Sequence, residues 1–497
     1  RNLARNILDV RWVAKWKFVK AASASKGYAI DTTRAITPDG KVRVIRMRVT
    51  LRGFKDWDAL MLETYSGTAK RISQKLVASE AAVRGWAMAA IDIRKAFLKG
   101  ISYDELAKET GEPRRDVNFE LTEEAAAVLR TIEGYEDFDC RREVLSCTRP
   151  GTGCKDAPRC WSIGLARVTE DQWGARPTTH DNQLIIRHQG YKEELDFIAT
   201  KHVDDIKTAC PPAVLKDFIA ILERAFGKGE LEITLETFGC GGMTHTITDA
   251  GYELDQTEFI NKLRPIANEE VTTGLDDDEA DETNAKLYLS LTMAMAFALM
   301  TRWDLQVYIM ALQRHLQKPR YRHVRKLNTV VRWAQRHPKK LRYRWMRCKQ
   351  QLECHSDTGI RRENDKEGLI DGKSACGSNF LRIGSIEEGP GSHNDTSPGD
   401  RVCHFIDAKV GMTKVAVRST FTSETQGVIS TADAAIVLAT ALHEIKAGPL
   451  ALSEAARLTQ EACLFFEISV VTDANNLLSA LNVAQLKDPS EKTPSFI

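Results

Sequence analysis

Two early stretches, residues 11–19 and 41–51, mix Val, Ile and Trp with basic residues in rough alternation. Pro38-Asp39-Gly40 lies between them, so a basic β-hairpin is predicted. Residues 72–83 have helical composition and end at Gly85, and residues 86–93 form a mostly apolar run of strand length with Asp92 near its end. Residues 195–200 and 206–209 read as partner strands, which leaves His202-Val203-Asp204-Asp205 as a hairpin tip. After Pro211-Pro212, Leu215, Phe218, Ile219, Leu222 and Phe226 recur at helical spacing until Gly227 and Gly229. Leu231, Ile233 and Leu235 alternate like a half-buried strand, and a further strand and helix are expected over residues 252–263. Residues 287–315 carry the pattern of one long apolar helix. Further on, Asp357 follows a short polar strand candidate, residues 419–445 read as a helix containing Glu424, and residues 465–471 form a strand running into Asp473.

Length and composition place these elements in about three domains of ordinary soluble protein, with 43% hydrophobic and 28% charged residues among 497. The expected division is 1–270, then an acidic linker and basic helical connection over 271–349, then 350–497. The net charge of +2 hides a local asymmetry, because thirteen Lys or Arg and no acid fall between Arg314 and Arg347. Opposite in sign is the run Asp276, Asp277, Asp278, Glu279, Asp281, Glu282, which reads as a solvated linker rather than a metal site. The eleven cysteines form no C-x-x-C pair, which argues against a zinc ribbon or a secreted disulfide framework and for a reducing compartment. The longest nearly apolar run, residues 287–300, is short of the roughly twenty residues that cross a bilayer, so no membrane partner is expected. The chain begins at Arg1 without a visible leader and reads as a fragment or processed product.

The chemistry suggested by these placements is two-metal phosphoryl transfer, which needs carboxylates on converging strand ends to hold divalent cations about 3.5–4 Å apart. Asp92 at a strand end and Asp204-Asp205 at a hairpin tip are the right residue types in the right settings.

Specific motifs sharpen this. The run Ala90-Ile91-Asp92-Ile93-Arg94-Lys95-Ala96-Phe97-Leu98-Lys99-Gly100 resembles the D-V-K-T-A-F-L-N-G signature of copia-type reverse transcriptases. In order along the chain, Trp12-Val13-Ala14-Lys15 resembles the family's K-W-V opening and Arg48-Val49-Thr50-Leu51-Arg52-Gly53-Phe54 its R-L-V-A-R-G-F. Gly153-Cys154-Lys155-Asp156-Ala157-Pro158-Arg159-Cys160-Trp161 resembles G-L-K-Q-A-P-R-x-W, and Lys201 to Asp205 the strand and turn with Y-V-D-D. Tyr288-Leu289-Ser290 through Arg302-Trp303-Asp304 resembles Y-R-S-L and T-R-P-D-I, with Trp303 in place of Pro.

The resemblance implies an RNA-directed DNA polymerase of a copia-type LTR retrotransposon Pol polyprotein. The implied fold is α/β (α+β): a right-hand palm and fingers domain, a helical connection and a C-terminal ribonuclease H-like α/β domain. Asp92 and Asp204 would bind two Mg²⁺ ions per site, or Mn²⁺ in their place, with Asp205 as the third carboxylate. Phe97 would be the steric gate against a 2′-hydroxyl, Arg46 or Arg48 would lie over the triphosphate, and Gly153 and Lys155 would approach the nucleotide. Three departures accompany these matches: His202 for Tyr, Thr152 for Tyr, and Asp156 for Gln, the last repulsive to a triphosphate unless it faces away.

A nuclease set is implied as well. His355-Ser356-Asp357 resembles the family's S-D-A, the run from Arg418 to Glu424 resembles S-S-T-E-A-E, and Val471-Thr472-Asp473 resembles T-D-S, which makes Asp357, Glu424 and Asp473 the metal ligands. A fourth carboxylate has no counterpart before Ile497, so nuclease activity is the less secure expectation. Implied partners are an RNA template, a DNA primer, the RNA–DNA hybrid and deoxynucleoside triphosphates, in a cytoplasmic particle or the nucleus. The alternative is a decayed element that binds nucleic acid without turnover.

Overall fold

The computed structural model describes residues 4–20, 29–30, 40–189, 194–346, 350–359, 375–385, 401–412, 419–461 and 464–483. The turn residues Pro38 and Asp39 lie outside them. The architecture is mixed α/β, and the chain divides into two compact units: residues 1–67, 93–173 and 221–230, and residues 68–92, 174–220 and 231–497. The sequence boundaries at 270 and 350 both fall inside the second unit.

The first unit is built on a long two-stranded ribbon in which Ile7–Lys20 pairs antiparallel with Lys41–Leu51. The short strands Asn118–Glu120 and Leu145–Ser146 extend it on one side. Alternation gives the ribbon two unlike faces. Arg46 and Arg48 point one way with Lys15 and Val13 opposite them; Trp12, Trp16 and Met47 point the other way. Helices Tyr103–Thr110 and Ala157–Ala166 close a core of Leu8, Val10, Leu51, Leu106 and Cys160. The first of these helices begins with a capping box, Ser102 and Glu105 satisfying each other's end groups.

The second unit carries the remaining sheets. The largest has strand order Leu231–Thr234, Ala87–Ile93, Asp205–Cys210, Glu194–His202, Leu184–Gln189, Arg176–Pro177. A further sheet has the order Arg401–Met412, Ala375–Ser385, Gln350–Gly359, Ile468–Thr472, the last pair parallel and the others antiparallel. One apolar core joins them: Leu76, Val77, Met88 and Ile198 lie in the same cluster as Leu352, Phe380, Phe405 and Leu442. The helix Arg71–Arg84 is central to that cluster and buries ten consecutive residues, Ser73 to Ala82, polar ones included.

Those polar groups are costly to bury, and the ones nearest the strands find partners, whereas the Gln74 side-chain amide has none. Glu80 accepts from Arg382 at 2.6 Å and from Arg84 at 2.9 Å; Ser79 lies 2.9 Å from His404 Nδ1 and accepts from Arg382 at 3.2 Å. Burial alone would push the Glu80 carboxyl up, but the two guanidiniums outweigh it and hold it below the usual carboxylate range. His404 Nε2 lies 2.7 Å from the Arg344 carbonyl.

The long apolar helix expected over residues 287–315 is in fact two helices, Glu282–Ala298 and Gln306–Gln313, with a 3₁₀ turn Trp303–Leu305 between them. Polar partners distant in sequence hold the chain at the break. Thr301 donates through both its amide and hydroxyl to Gln256, and the buried Arg302 guanidinium donates to Asp304 and to the Ala334 carbonyl. The acidic run is no bare linker surface: Asp281 caps the first of these helices, while Asp276 and Asp277 pair with Arg325 and with Arg320 and Arg322.

The helix Thr420–Ala447 is long and apolar enough to cross a bilayer by length and composition. It instead buries sixteen residues within this unit, and near its end the buried Glu444 accepts from the Thr179 amide and hydroxyl and from the Leu450 amide.

Removing one partner of a buried ion pair leaves an uncompensated charge, which costs about 3–5 kcal/mol. Arg382→Met leaves the buried Glu80 with Arg84 as its one remaining cation and should lower the unfolding free energy by up to about that much in a denaturant titration, and adding Glu80→Leu should recover most of the loss. Equal stabilities of Arg382→Met and the parent would show that the pair carries no structural weight.

Candidate active sites

Asp92 sits one residue from the end of the strand Ala87–Ile93, where it is the direct cross-strand partner of Asp205. Asp205 opens its own strand and pairs on the other side with His202, which leaves Val203-Asp204 as a two-residue hairpin turn. Two-residue hairpin loops demand a positive φ, and Val203 supplies it at +60° despite its branched Cβ. A β-branched residue held there stores on the order of 1–3 kcal/mol next to Asp204.

Like charges directly opposite on neighbouring strands destabilise a sheet. The effect is visible at Asp205, whose carboxyl is pushed up to about 6 by burial, then by the charges of Asp204 and Asp92. Asp92 and Asp204 are exposed and Asp205 half-buried. Three carboxylates whose charges oppose one another at a strand end are suited to a multivalent cation, which would remove the repulsion.

A second set converges more tightly. Ligand atoms of Asp357, Glu424 and Asp473 all lie within 4.8 Å of one another. Asp357 lies inside the strand Gln350–Gly359 rather than after it, and Asp473 directly follows Ile468–Thr472. Because Ser356 pairs with Thr472 in parallel register, the two aspartates occupy equivalent places on neighbouring strands. Glu424 arrives from the first turns of the helix Thr420–Ala447, whose start is capped by Ser419 and fixed by the Ser423 hydroxyl donating to Thr358 at 2.9 Å. Glu424 is buried; burial first, then Asp473 and Asp357, push its carboxyl up. Its Oε2 has no hydrogen-bond partner, although buried oxygens of this kind nearly always do. An orphaned carboxylate oxygen facing two further carboxylates fits a divalent cation.

The five residues expected around a nucleotide all lie in the first unit. Arg46 and Arg48 share a face of the ribbon, Phe97 lies in the 3₁₀ turn Ala96–Lys99, and Lys155 is exposed just before the helix Ala157–Ala166. Gly153 has a requirement of its own: its φ is +102°, and a Cβ there would stand 2.1 Å from the Leu51 carbonyl oxygen. Asp156, the expected repulsive departure, is buried and bonded to Arg115, which also holds the buried Asp56. It faces inward, away from solvent.

Residues that support these sites were invisible to periodicity. Gly427 approaches the sheet so closely that a Cβ would lie 2.4 Å from Thr358 Cγ2 and 3.1 Å from Ser356 Oγ. Its one sequence signal is a glycine three residues after Glu424 in a helix interior, where glycine costs stability unless close packing requires it.

The chain is similar to copia-type retrotransposon Pol polyproteins, as its motifs indicate. It is 21% identical over 314 residues, 61% of its length, to the retrovirus-related Pol polyprotein from transposon RE1 of Arabidopsis thaliana. It is 23% identical over 315 residues, again 61%, to that from transposon RE2 of the same plant. The chain spans about a fifth of the length of these relatives, 20% in each case. No family model matches it. Among solved structures, a foamy viral protease-reverse transcriptase in complex with dsDNA has 14% identity and a TM-score of 0.40, over 88% of this chain and 76% of that one. The same foamy viral protein in complex with RNA/DNA hybrid has 12% identity and a TM-score of 0.38, over 88% and 49%.

Two predictions concern these carboxylates. The folded-state pKa of Asp205 lies above its unfolded value, so protonation stabilises the fold below pH ~4 and that contribution is lost as pH rises through about 6. In cation-free buffer Asp205→Asn should remove this component, melting higher than the parent at pH 7.5 and not at pH 4. Parallel melting curves across that range would refute the assignment. Separately, Gly427→Val should push Glu424 away from Asp357 and Asp473. Mn²⁺ affinity, titrated in an Asp204→Asn, Asp205→Asn background, should fall at least about tenfold, since misplaced ligands forfeit coordination geometry. Unchanged affinity would mean that the close helix approach does not position Glu424.

Proposed function

We propose that the chain is the reverse transcriptase and ribonuclease H portion of a copia-type retroelement Pol polyprotein. It would be an RNA-directed DNA polymerase with palm and fingers organisation, joined to a ribonuclease H-like domain. The observation that carries this reading is the cross-strand pair Asp92 and Asp205 beside Asp204 at a strained two-residue turn, inside motifs that match the family in order.

Two divalent cations, Mg²⁺ or Mn²⁺, would supply charge stabilisation to the attacking and leaving oxygens of phosphoryl transfer. The work of the chain is positioning. The antiparallel register of Ala87–Ile93 with Asp205–Cys210 fixes Asp92 against Asp205, and the hairpin turn presents Asp204 at the tip. Phe97 would crowd a ribonucleotide 2′-hydroxyl, Arg46 and Arg48 would donate to the triphosphate, and Lys155 would add charge near the Gly153 turn. Asp357, Glu424 and Asp473 would hold the cations that hydrolyse the RNA strand of the hybrid. Partners would be an RNA template, a DNA primer and deoxynucleoside triphosphates, in a cytoplasmic particle or the nucleus. The inward pairing of Asp156 with Arg115 removes one reason for regarding the site as spoiled.

Mg²⁺-dependent extension of a DNA primer on an RNA template tests the reading. The parent should extend and Asp204→Asn should lose about a thousandfold or more of the rate, in line with removing a main source of transition-state charge stabilisation. Absence of extension by the parent, with hybrid binding intact, would contradict polymerase function.

A further inference from the structure

Neither carboxylate set uses the cleft between the helices Gln306–Gln313 and Tyr321–Arg336. It has a volume of about 670 Å³, and its walls include Tyr308, Leu312, Val330 and Trp333 together with Lys326 and Lys339. That volume lies within the roughly 300–1,000 Å³ typical of small-ligand clefts. Trp333 is 41% and Tyr308 60% exposed, so both rings present surface to the cleft.

Trp333 is nonetheless held in place. The Arg302 guanidinium sits 5.4 Å and Lys339 Nζ 5.9 Å from its ring centroid, and Arg302 is itself anchored to the Ala334 carbonyl at 3.1 Å. The one acid lining the cleft, Asp304, is neutralised by Arg302 at 3.0 Å and Lys339 at 3.4 Å. The helix Tyr321–Arg336 also carries the exposed cations Arg332 and Arg336, and no acidic residue occurs from Arg314 to Arg347. The cleft therefore favours a ligand that is flat and apolar on one part and anionic on another.

We propose that this cleft binds an unpaired nucleotide of a single-stranded nucleic acid, its base against Trp333 and Tyr308 and its phosphate toward Lys326. Aromatic platforms beside a cationic track hold single strands in this way without demanding a particular sequence. The proposal rests on the nucleic-acid reading above and adds to it a contact for the strand away from both carboxylate sets.

The test is photocrosslinking of the full chain to a single-stranded oligodeoxyuridylate containing 5-iodouracil, mapped by mass spectrometry, with oligonucleotide and RNA–DNA hybrid affinities measured alongside. Cross-links should fall on Trp333 or Tyr308. Trp333→Ala and the surface variant Tyr308→Ala should each weaken oligonucleotide binding about five- to tenfold, as loss of a base–aromatic stack does, while Trp333→Phe stays within about twofold. Cross-links confined elsewhere, unchanged affinity in both alanine variants, or an apolar dye binding the cleft without displacing oligonucleotide would overturn the cleft assignment. With hybrid binding retained, those results remove the cleft alone; loss of both hybrid and oligonucleotide binding in the parent removes the nucleic-acid reading with it.

Discussion

The carboxylate of Glu80, buried midway along the helix Arg71–Arg84 and held by Arg382 and Arg84, is the fixed point of the second unit. An unpaired charge there would cost several kcal/mol, so Arg382 has little freedom to leave. Through Arg382 the strand Ala375–Ser385 is tied to the helix, and through Ser79 and His404 the strand Arg401–Met412 is tied as well. Both carboxylate sets thus hang from one core: Asp92 on a strand carrying core residue Met88, and Asp357 on a strand carrying Leu352 and Cys354.

Each set shows the same physical trade. Cross-strand aspartates at 92 and 205 and a buried glutamate with an orphaned oxygen are poor choices for stability alone. The fold tolerates them because their surroundings are otherwise satisfied: the hairpin register is fixed on both sides of Asp205, and the start of the helix bearing Glu424 is fixed by Ser419, Ser423 and close packing at Gly427. Local instability inside an over-determined frame is what a cation site requires, because the bound ion then recovers the repulsion as affinity.

Much of this was legible because it is local. An apolar run of strand length ending in Asp92, and a hairpin with Asp204-Asp205 at its tip, announce themselves over a few residues, and the observed strands follow closely. The helix Thr420–Ala447 and its Glu424 were equally plain. What was not legible depends on partners far away in sequence. Glu80 and Arg382 are separated by 302 positions and leave no periodic trace. The inward turn of Asp156 depends on Arg115, 41 positions earlier. The break at Thr301 and Arg302 hides in an apolar pattern because Gln256 and the Ala334 carbonyl, not local propensity, draw the chain out of the helix.

The central claim is that one cooperative core carries both carboxylate sets, and native-state hydrogen exchange tests it most directly. Amides of Leu76 to Ala82 and those of the strands Gln350–Gly359 and Ala375–Ser385 should open with a common free energy and lose protection together as denaturant is added. If the strands carrying Asp357 and its neighbours exchanged at a distinctly lower free energy while the helix Arg71–Arg84 stayed protected, the two sets would belong to separately folding bodies and the claim would fail.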